Sequence, residues 1–141
     1  MAETHPPHVV AQLYEAYLRL SDFVFDAGKR FDDRLRPAHS AVFFHMEHEG
    51  IRLSRLAEKA QMTPQAMGEL VDQLEEMGCL RRIPDPADRR AKLIVFTELG
   101  DKALLIGYSA IDAVEHRLAT LLGDDGFEAL RTTLNRIRTE F

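Results

Sequence analysis

The chain has a single cysteine, Cys79, among its 141 residues, which excludes an internal disulfide and suits a reducing cytoplasm. Its opening stretch, MAETHPPHVV, lacks a basic segment followed by an apolar run, so no signal peptide is expected. No apolar stretch is long enough to cross a bilayer, and the chain reads as soluble, cytoplasmic and free of membrane partners. Internal repeats and low-complexity tracts are missing too. There is no glycine-rich loop of the kind that cradles phosphates. Gly107-Tyr108-Ser109-Ala110-Ile111 loosely resembles a nucleophile elbow, but the final glycine is absent and the segment falls in the middle of a helical pattern. Neither catalysis nor a cofactor is expected. Positive charge is also scarce: 18 Lys and Arg against 23 Asp and Glu leave a net charge of −5, which does not mark a nucleic-acid binder. The distribution is less adverse. Residues 52–97 hold eight basic and seven acidic side chains, a balance of +1, which leaves −6 for the rest.

The informative stretch lies within those residues. It reads LSRLAEKAQMTPQAMGELVDQLEEMGCLRRIPDPADRRAKLIVFT. Ser54 can cap a short helix carrying Leu56, Ala57 and Ala60, and Gln61-Met62 then make a tight turn. Thr63 suits the N-cap of a second helix and Pro64 its first position, where a missing N–H costs nothing. Gly78 ends that helix after Met77, where a left-handed residue is wanted. Ala66, Leu70, Leu74 and Met77 recur at helical spacing and give it one apolar face. Two helices joined by so short a turn make a helix-turn-helix, whose second helix can enter a major groove. Leu80–Ile83 and Lys92–Thr97 are rich in apolar and β-branched residues and read as strands. The intervening PDPADRRA, with two prolines and a run of charge, reads as a loop. The result is a β-hairpin wing with Arg89 and Arg90 at its tip.

These marks together resemble the DNA-binding core of the MarR family of bacterial transcriptional regulators. They are LSRLAEKA, TPQAMGELVDQLEEMG, the wing DPADRR, and FTELGDKAL after it. The resemblance covers about a third of the chain. It implies a mainly α fold: one domain over residues 1–141, with a winged helix-turn-helix lobe at about 37–97 between dimerisation helices at about 8–35 and 98–141. It further implies a homodimer that binds double-stranded DNA at a palindromic operator, in most cases as a repressor. A small-molecule effector, often an aromatic or phenolic compound, would relieve binding.

The flanks fit that scheme. Residues 1–7 read as a loose start. Leu13, Tyr17, Leu20, Val24, Ala27 and Phe31 then form one apolar stripe on a long helix. Pro37 opens another helix, with Val42, Phe43, Phe44 and Met46, which Gly50 closes; Ile51 to Leu53 can add a short strand beside the wing. Thr97 can cap a helix reaching about Leu122, with Leu104, Ile111, Val114, Leu118 and Leu121 on one side. GDDG breaks it, and Asp124 or Asp125 can start a last helix carrying Phe127, Leu130, Leu134, Ile137 and Phe141. One lobe cannot readily bury all three stripes, whereas a second copy can.

If Ala66, Leu70 and Leu74 of the second helix point inward, Gln65, Gly68, Glu69 and Asp72 point outward. Gln65 can read adenine, and Thr63 or the helix N-terminus can hold a phosphate. With Ser54, Pro64 and the wing's Asp88, Arg89 and Arg90, these form the candidate DNA contacts. Gly68 would let the helix approach DNA closely. Glu69 stands where the resemblance implies a basic residue. With Asp72 it would repel phosphates, since this helix carries no Lys or Arg. Arg90 matches the family position that enters the minor groove, oriented by Asp88. The effector pocket is expected at Tyr14, Tyr17, His39 and Phe43, residues that can equally be plain core. His45 with His48, at i, i+3, and Asp112 with His116, at i, i+4, have spacings that zinc sites use. They do not reproduce a ligand set, and no metal is assigned. Cys79 reads as a buried, inert thiol.

Overall fold

A computed structural model describes residues 7–141, so the loose start expected for residues 1–7 lies outside the described residues up to residue 6. The first helix, α1, spans Val9–Phe31. A 3₁₀ turn at Pro37–His39 leads into a short α2 (Ser40–His45). Met46 then takes an extended conformation, so α2 stops five residues short of the close expected at Gly50, and Gly50 (φ 97°) serves the following turn instead. Ile51 forms an isolated antiparallel bridge with Ile94, the realised part of the short strand expected there.

The helix-turn-helix is α3 (Leu53–Lys59) and α4 (Pro64–Glu76). Ser54 is not the cap of α3. The chain leaves the Ile51 bridge extended, Arg52 takes the N-cap position and helical geometry begins at Leu53, which puts Ser54 in the first turn. Helix α4 starts as the sequence indicates, with Thr63 Oγ1 accepting the Ala66 N–H at 3.2 Å and Pro64 at the first position. Gln61 (φ 54°) makes the tight turn before it, and Gly78 (φ 78°) ends the motif. The buried face of α4 is Met67, Leu70, Val71 and Leu74, with Met77 beyond its end. It is therefore broader than the expected stripe, and Ala66 lies at its margin. The reason is that α4 is packed from several sides, against α3, α2, the 3₁₀ turn and the first strand.

The strands β1 (Leu80–Asp85) and β2 (Asp88–Phe96) pair antiparallel, Leu80 opposite Phe96 and Ile83 opposite Leu93. They run well into PDPADRRA, the segment expected to be a loop, and only Pro86 and Ala87 turn the chain. Pro84 is tolerated because the β1 backbone is a sheet edge and the register shifts in a bulge between Pro84 and Asp85.

Helix α5 (Glu98–Glu140) begins at Thr97, whose Oγ1 accepts the Gly100 N–H at 3.0 Å. A Cβ at Gly100 would sit 1.9 Å from the Cys79 carbonyl oxygen, so only glycine lets α5 pass so near β1. In place of a four-residue break at GDDG, Gly123 alone leaves helical geometry (φ 74°), dividing α5 into arms at 98–122 and 124–140. One core cluster holds the lobe together, running in sequence from Leu35 to Ala103 and including Val42, Leu56, Met67, Leu74, Leu80 and Ile94. Cys79 is fully buried within it, and burial pushes its thiol pKa up, as expected of an inert thiol. Helix α1 packs along α5 yet contains no buried residue.

Candidate nucleic-acid interface

The inward packing of Leu70, Val71 and Leu74 leaves Gln65, Glu69 and Asp72 exposed on the opposite side of α4. Thr63 and Pro64 are exposed at its N-terminus, and Ser54 at the first turn of α3. Gly68 is the exception among the expected contacts. It is half-buried, and a Cβ there would lie 3.6 Å from Leu53 Cδ2, so this glycine faces the α3 side of the motif.

Ion pairing sorts the lobe's charge in a way that counting could not. Arg55 and Lys59 of α3 both bind the Glu47 carboxylate, at 3.0 and 3.3 Å, which holds its pKa below the usual value. Arg82 of β1 reaches α4 and pairs with Asp72 (2.8 Å) and with Glu75. The expectation that no cation offsets the carboxylates of the recognition helix is thus wrong for Asp72. Its partner comes from the strand and not from the helix itself. Glu69 has no ion pair among the described residues, and neither do Arg81, Arg89, Arg90 and Lys92, all exposed on the wing strands. Free positive charge in the lobe is therefore concentrated on the wing.

The wing tip is built on two aspartates. Asp85, only 9% exposed at its side chain, accepts the Ala87 N–H at 2.8 Å and pairs with Arg52 at 2.6 Å. The Ala87 hydrogen bond and then the Arg52 guanidinium hold its carboxyl below the usual range. This clasp ties the N-cap of α3 to the hairpin. Its one sequence signal was an Asp standing two residues before a turn amide. Asp88 Oδ1 accepts the backbone N–H of Arg90 at 3.0 Å. It fixes the backbone at the tip and does not hold the Arg90 guanidinium, contrary to the sequence-based expectation, so both arginine heads stay free for an anionic partner.

Above the lobe, α1, α2 and α5 enclose a cavity of about 230 Å³. Tyr17, His39 and Phe43 line it as expected, but Tyr14 does not and is exposed on α1. Phe25, Phe44 and Tyr108 add aromatic wall, and Phe43 also stacks on Phe96 of β2 with ring centres 5.8 Å apart. Arg36, not anticipated from sequence, is the one charged side chain on the lining. His45 and His48 do not share a helix, because α2 ends at His45. No three His, Cys, Asp or Glu side chains gather as a metal-binding group among the described residues. No helix of the described residues is long and apolar enough to cross a membrane.

A helix-turn-helix followed by an arginine-tipped hairpin defines a winged-helix DNA-binding regulator. The pattern of the MarR family matches residues 46–92, which run from just after α2 into β2. Over that third of the chain the sequence is similar to the MarR family, and the fold is the winged helix of its solved members. The chain is 29% identical over 94 residues to the transcriptional regulator HosA of Escherichia coli O111:H-, covering 66% of this chain and 70% of that protein. Among solved structures, the repressor CouR bound to a 23-mer DNA duplex shares 25% identity, with a TM-score of 0.77 over 93% of this chain and 92% of that one. CouR from Rhodococcus jostii RHA1 bound to p-coumaroyl-CoA shares 28% identity, with a TM-score of 0.73 over 92% of this chain and 91% of that one.

Proposed function

We propose that this protein is a homodimeric repressor that binds a palindromic operator and is released by an aromatic or phenolic effector held between its lobe and its terminal helices. The observation that carries the reading is the exposed face of α4 beside a wing whose tip arginines, Arg89 and Arg90, have no side-chain partner among the described residues. On DNA, α4 enters the major groove with Gln65 at base edges, and the Thr63 end of the helix and Ser54 of α3 meet phosphates. Arg90, with Arg89 beside it, reaches the minor groove. A two-fold dimer presents two such helices to successive grooves, which is what a palindrome requires. The terminal helices supply the dimer contact, since Val9, Val10, Leu13, Leu121, Leu134 and Ile137 are exposed on them.

The cavity supports the effector. Its aromatic walls suit a planar ring, and a related repressor, CouR, has been solved with p-coumaroyl-CoA. A second reading is favoured by unpaired Glu69 and the net charge of −5: a ligand-binding or protein-interaction module of the same fold with weak DNA affinity. Titration against a duplex from the region upstream of its own gene, with salt varied, separates the two. A repressor binds that duplex more tightly than a scrambled one and with a steep salt slope. Equal, weak binding to both selects the module.

A further inference from the structure

The cavity and the recognition helix meet at one atom. Arg36 and His39 both line the cavity, and both donate to Oε1 of Gln73 on α4, from Arg36 Nη2 at 2.6 Å and His39 Nε2 at 2.9 Å. An amide oxygen has two lone pairs, and here both are taken. The other ring nitrogen, His39 Nδ1, accepts the Arg36 backbone N–H at 2.9 Å, so the hydrogen of the neutral ring must sit on Nε2. His39 is only 1% exposed, and with both nitrogens occupied it is fixed in place. Arg36 differs: its side chain is exposed, and the guanidinium's sole hydrogen-bond partner among the described residues is this neutral amide.

We infer that Gln73 is where occupancy of the cavity is read by the recognition helix: a carboxylate in the cavity draws the Arg36 guanidinium off Gln73 and leaves α4 held on that side by His39 alone. The inference rests on the reading of the cavity as the effector site. A carboxylate offers a guanidinium two parallel charge-assisted bonds, roughly twice as strong as bonds to a neutral acceptor, so it outcompetes the amide. This supplies the differential affinity without which a ligand shifts no equilibrium. The adjoining face of α4 is held differently. Asp72, about 100° around the helix from Gln73, is gripped with Glu75 by Arg82 of the wing strand. Helix α4 thus lies between an ionic clamp on its wing side and a neutral clamp on its cavity side, and only the neutral one yields to an anion.

The test uses cinnamate and cinnamamide, which share a shape but not a charge, with the full chain labelled for NMR. Cinnamate is expected to shift the Gln73 side-chain amide and the His39 ring nitrogens, whereas cinnamamide shifts cavity residues such as Tyr17 and Phe43 alone. Gln73→Glu, which turns the amide into a competing carboxylate, should weaken cinnamate about tenfold and leave cinnamamide unchanged. Gln73→Leu, which removes the acceptor, should strengthen cinnamate. Equal cinnamate affinity in all three chains, or binding of cinnamamide without cinnamate, overturns the coupling while the cavity reading survives. If neither probe perturbs the cavity at millimolar concentration, the cavity reading fails and the inference fails with it.

Discussion

The winged lobe and the terminal helices carry apolar stripes of the same kind, yet they use them differently. Within the lobe, Leu56, Met67, Val71, Leu74, Leu80 and Ile94 are buried against one another. In α1 no residue is buried, and beyond Val114 the described part of α5 contains none either. Leu121, at helical spacing with Leu118 and Val114, is 78% exposed. Periodicity thus reports which face of a helix is apolar, and only the fold reports whether the covering partner is in the same chain. The lobe covers itself. The terminal helices leave their stripes uncovered within the described chain.

The largest expected effect tests the self-sufficient half. Leu74→Ala removes a fully buried side chain at the centre of the lobe and should cost about 2–5 kcal/mol in chemical denaturation, whatever the protein concentration. The matching substitution at the ends, Leu121→Glu, should leave the fold intact and weaken the dimer at least about tenfold, read by sedimentation. A wild-type chain that sediments as a folded monomer at micromolar concentration would erase the contrast between the two regions.

His39 lies where the regions join, and it gives the next effect. Burial is the main cause that lowers its pKa below the ordinary 6.5. As pH falls below that value, the unfolded chain takes up a proton that the folded chain refuses, so stability decreases until the folded pKa is passed. Above it the contribution is complete. The carboxylates Asp32, Glu47 and Asp85, all with lowered pKa values, act only in the more acidic range below their ordinary values of 3.8 and 4.5. His39→Gln should therefore flatten the stability profile just below pH 6.5 and leave the acid limb unchanged. An unaltered profile would place the joint elsewhere.

How much of this was legible depends on the reach of each interaction. Thr63-Pro64, Gly78 and Thr97 act on amides or dihedrals within three residues of themselves, and each appears where sequence puts it. The helix-turn-helix and wing follow from such local signals. The start of α3 slipped from Ser54 because the bridge of Ile51 to Ile94, 43 residues further along the chain, dictates where the chain leaves extended geometry. Pro84 fits a strand only because of which edge that strand occupies. At the site, exposure of Gln65 and Glu69 follows from the apolar face of α4. The partners that matter most, Arg82 for Asp72 and Arg36 for Gln73, come from other elements and leave no periodic trace.

A smaller effect lies at the wing. Arg90→Ala should weaken DNA binding and reduce the magnitude of the salt slope by about one unit if Arg90 meets a phosphate. Asp88→Asn should weaken it less, because Asp88 holds only the Arg90 backbone and an amide oxygen can still accept that N–H. Equal affinity and slope in Arg90→Ala and wild type would make the wing tip a plain turn.

The smallest effect sharpens the comparison within α4 itself, between a carboxylate with a partner and one without. Asp72 is paired with Arg82, whereas Glu69, one turn nearer the N-terminus, is exposed and has no ion pair among the described residues. If Glu69 only repels phosphates, Glu69→Gln should tighten binding to every duplex alike, by under about 1 kcal/mol, and mostly at low salt. Asp72→Asn should do less, because it also frees Arg82 from half of its pairing and the two changes partly offset. If Glu69 accepts from a cytosine N4, Glu69→Gln should instead lose discrimination at that base pair, by about 1–3 kcal/mol, with no gain elsewhere. Repulsion is the expected result, because a carboxylate without a cation beside it faces the full potential of the backbone. Titrating both variants against a cognate and a scrambled duplex decides between them: a loss confined to the cognate duplex makes Glu69 a reader of sequence. No change on either duplex would mean that α4 does not present this face to DNA.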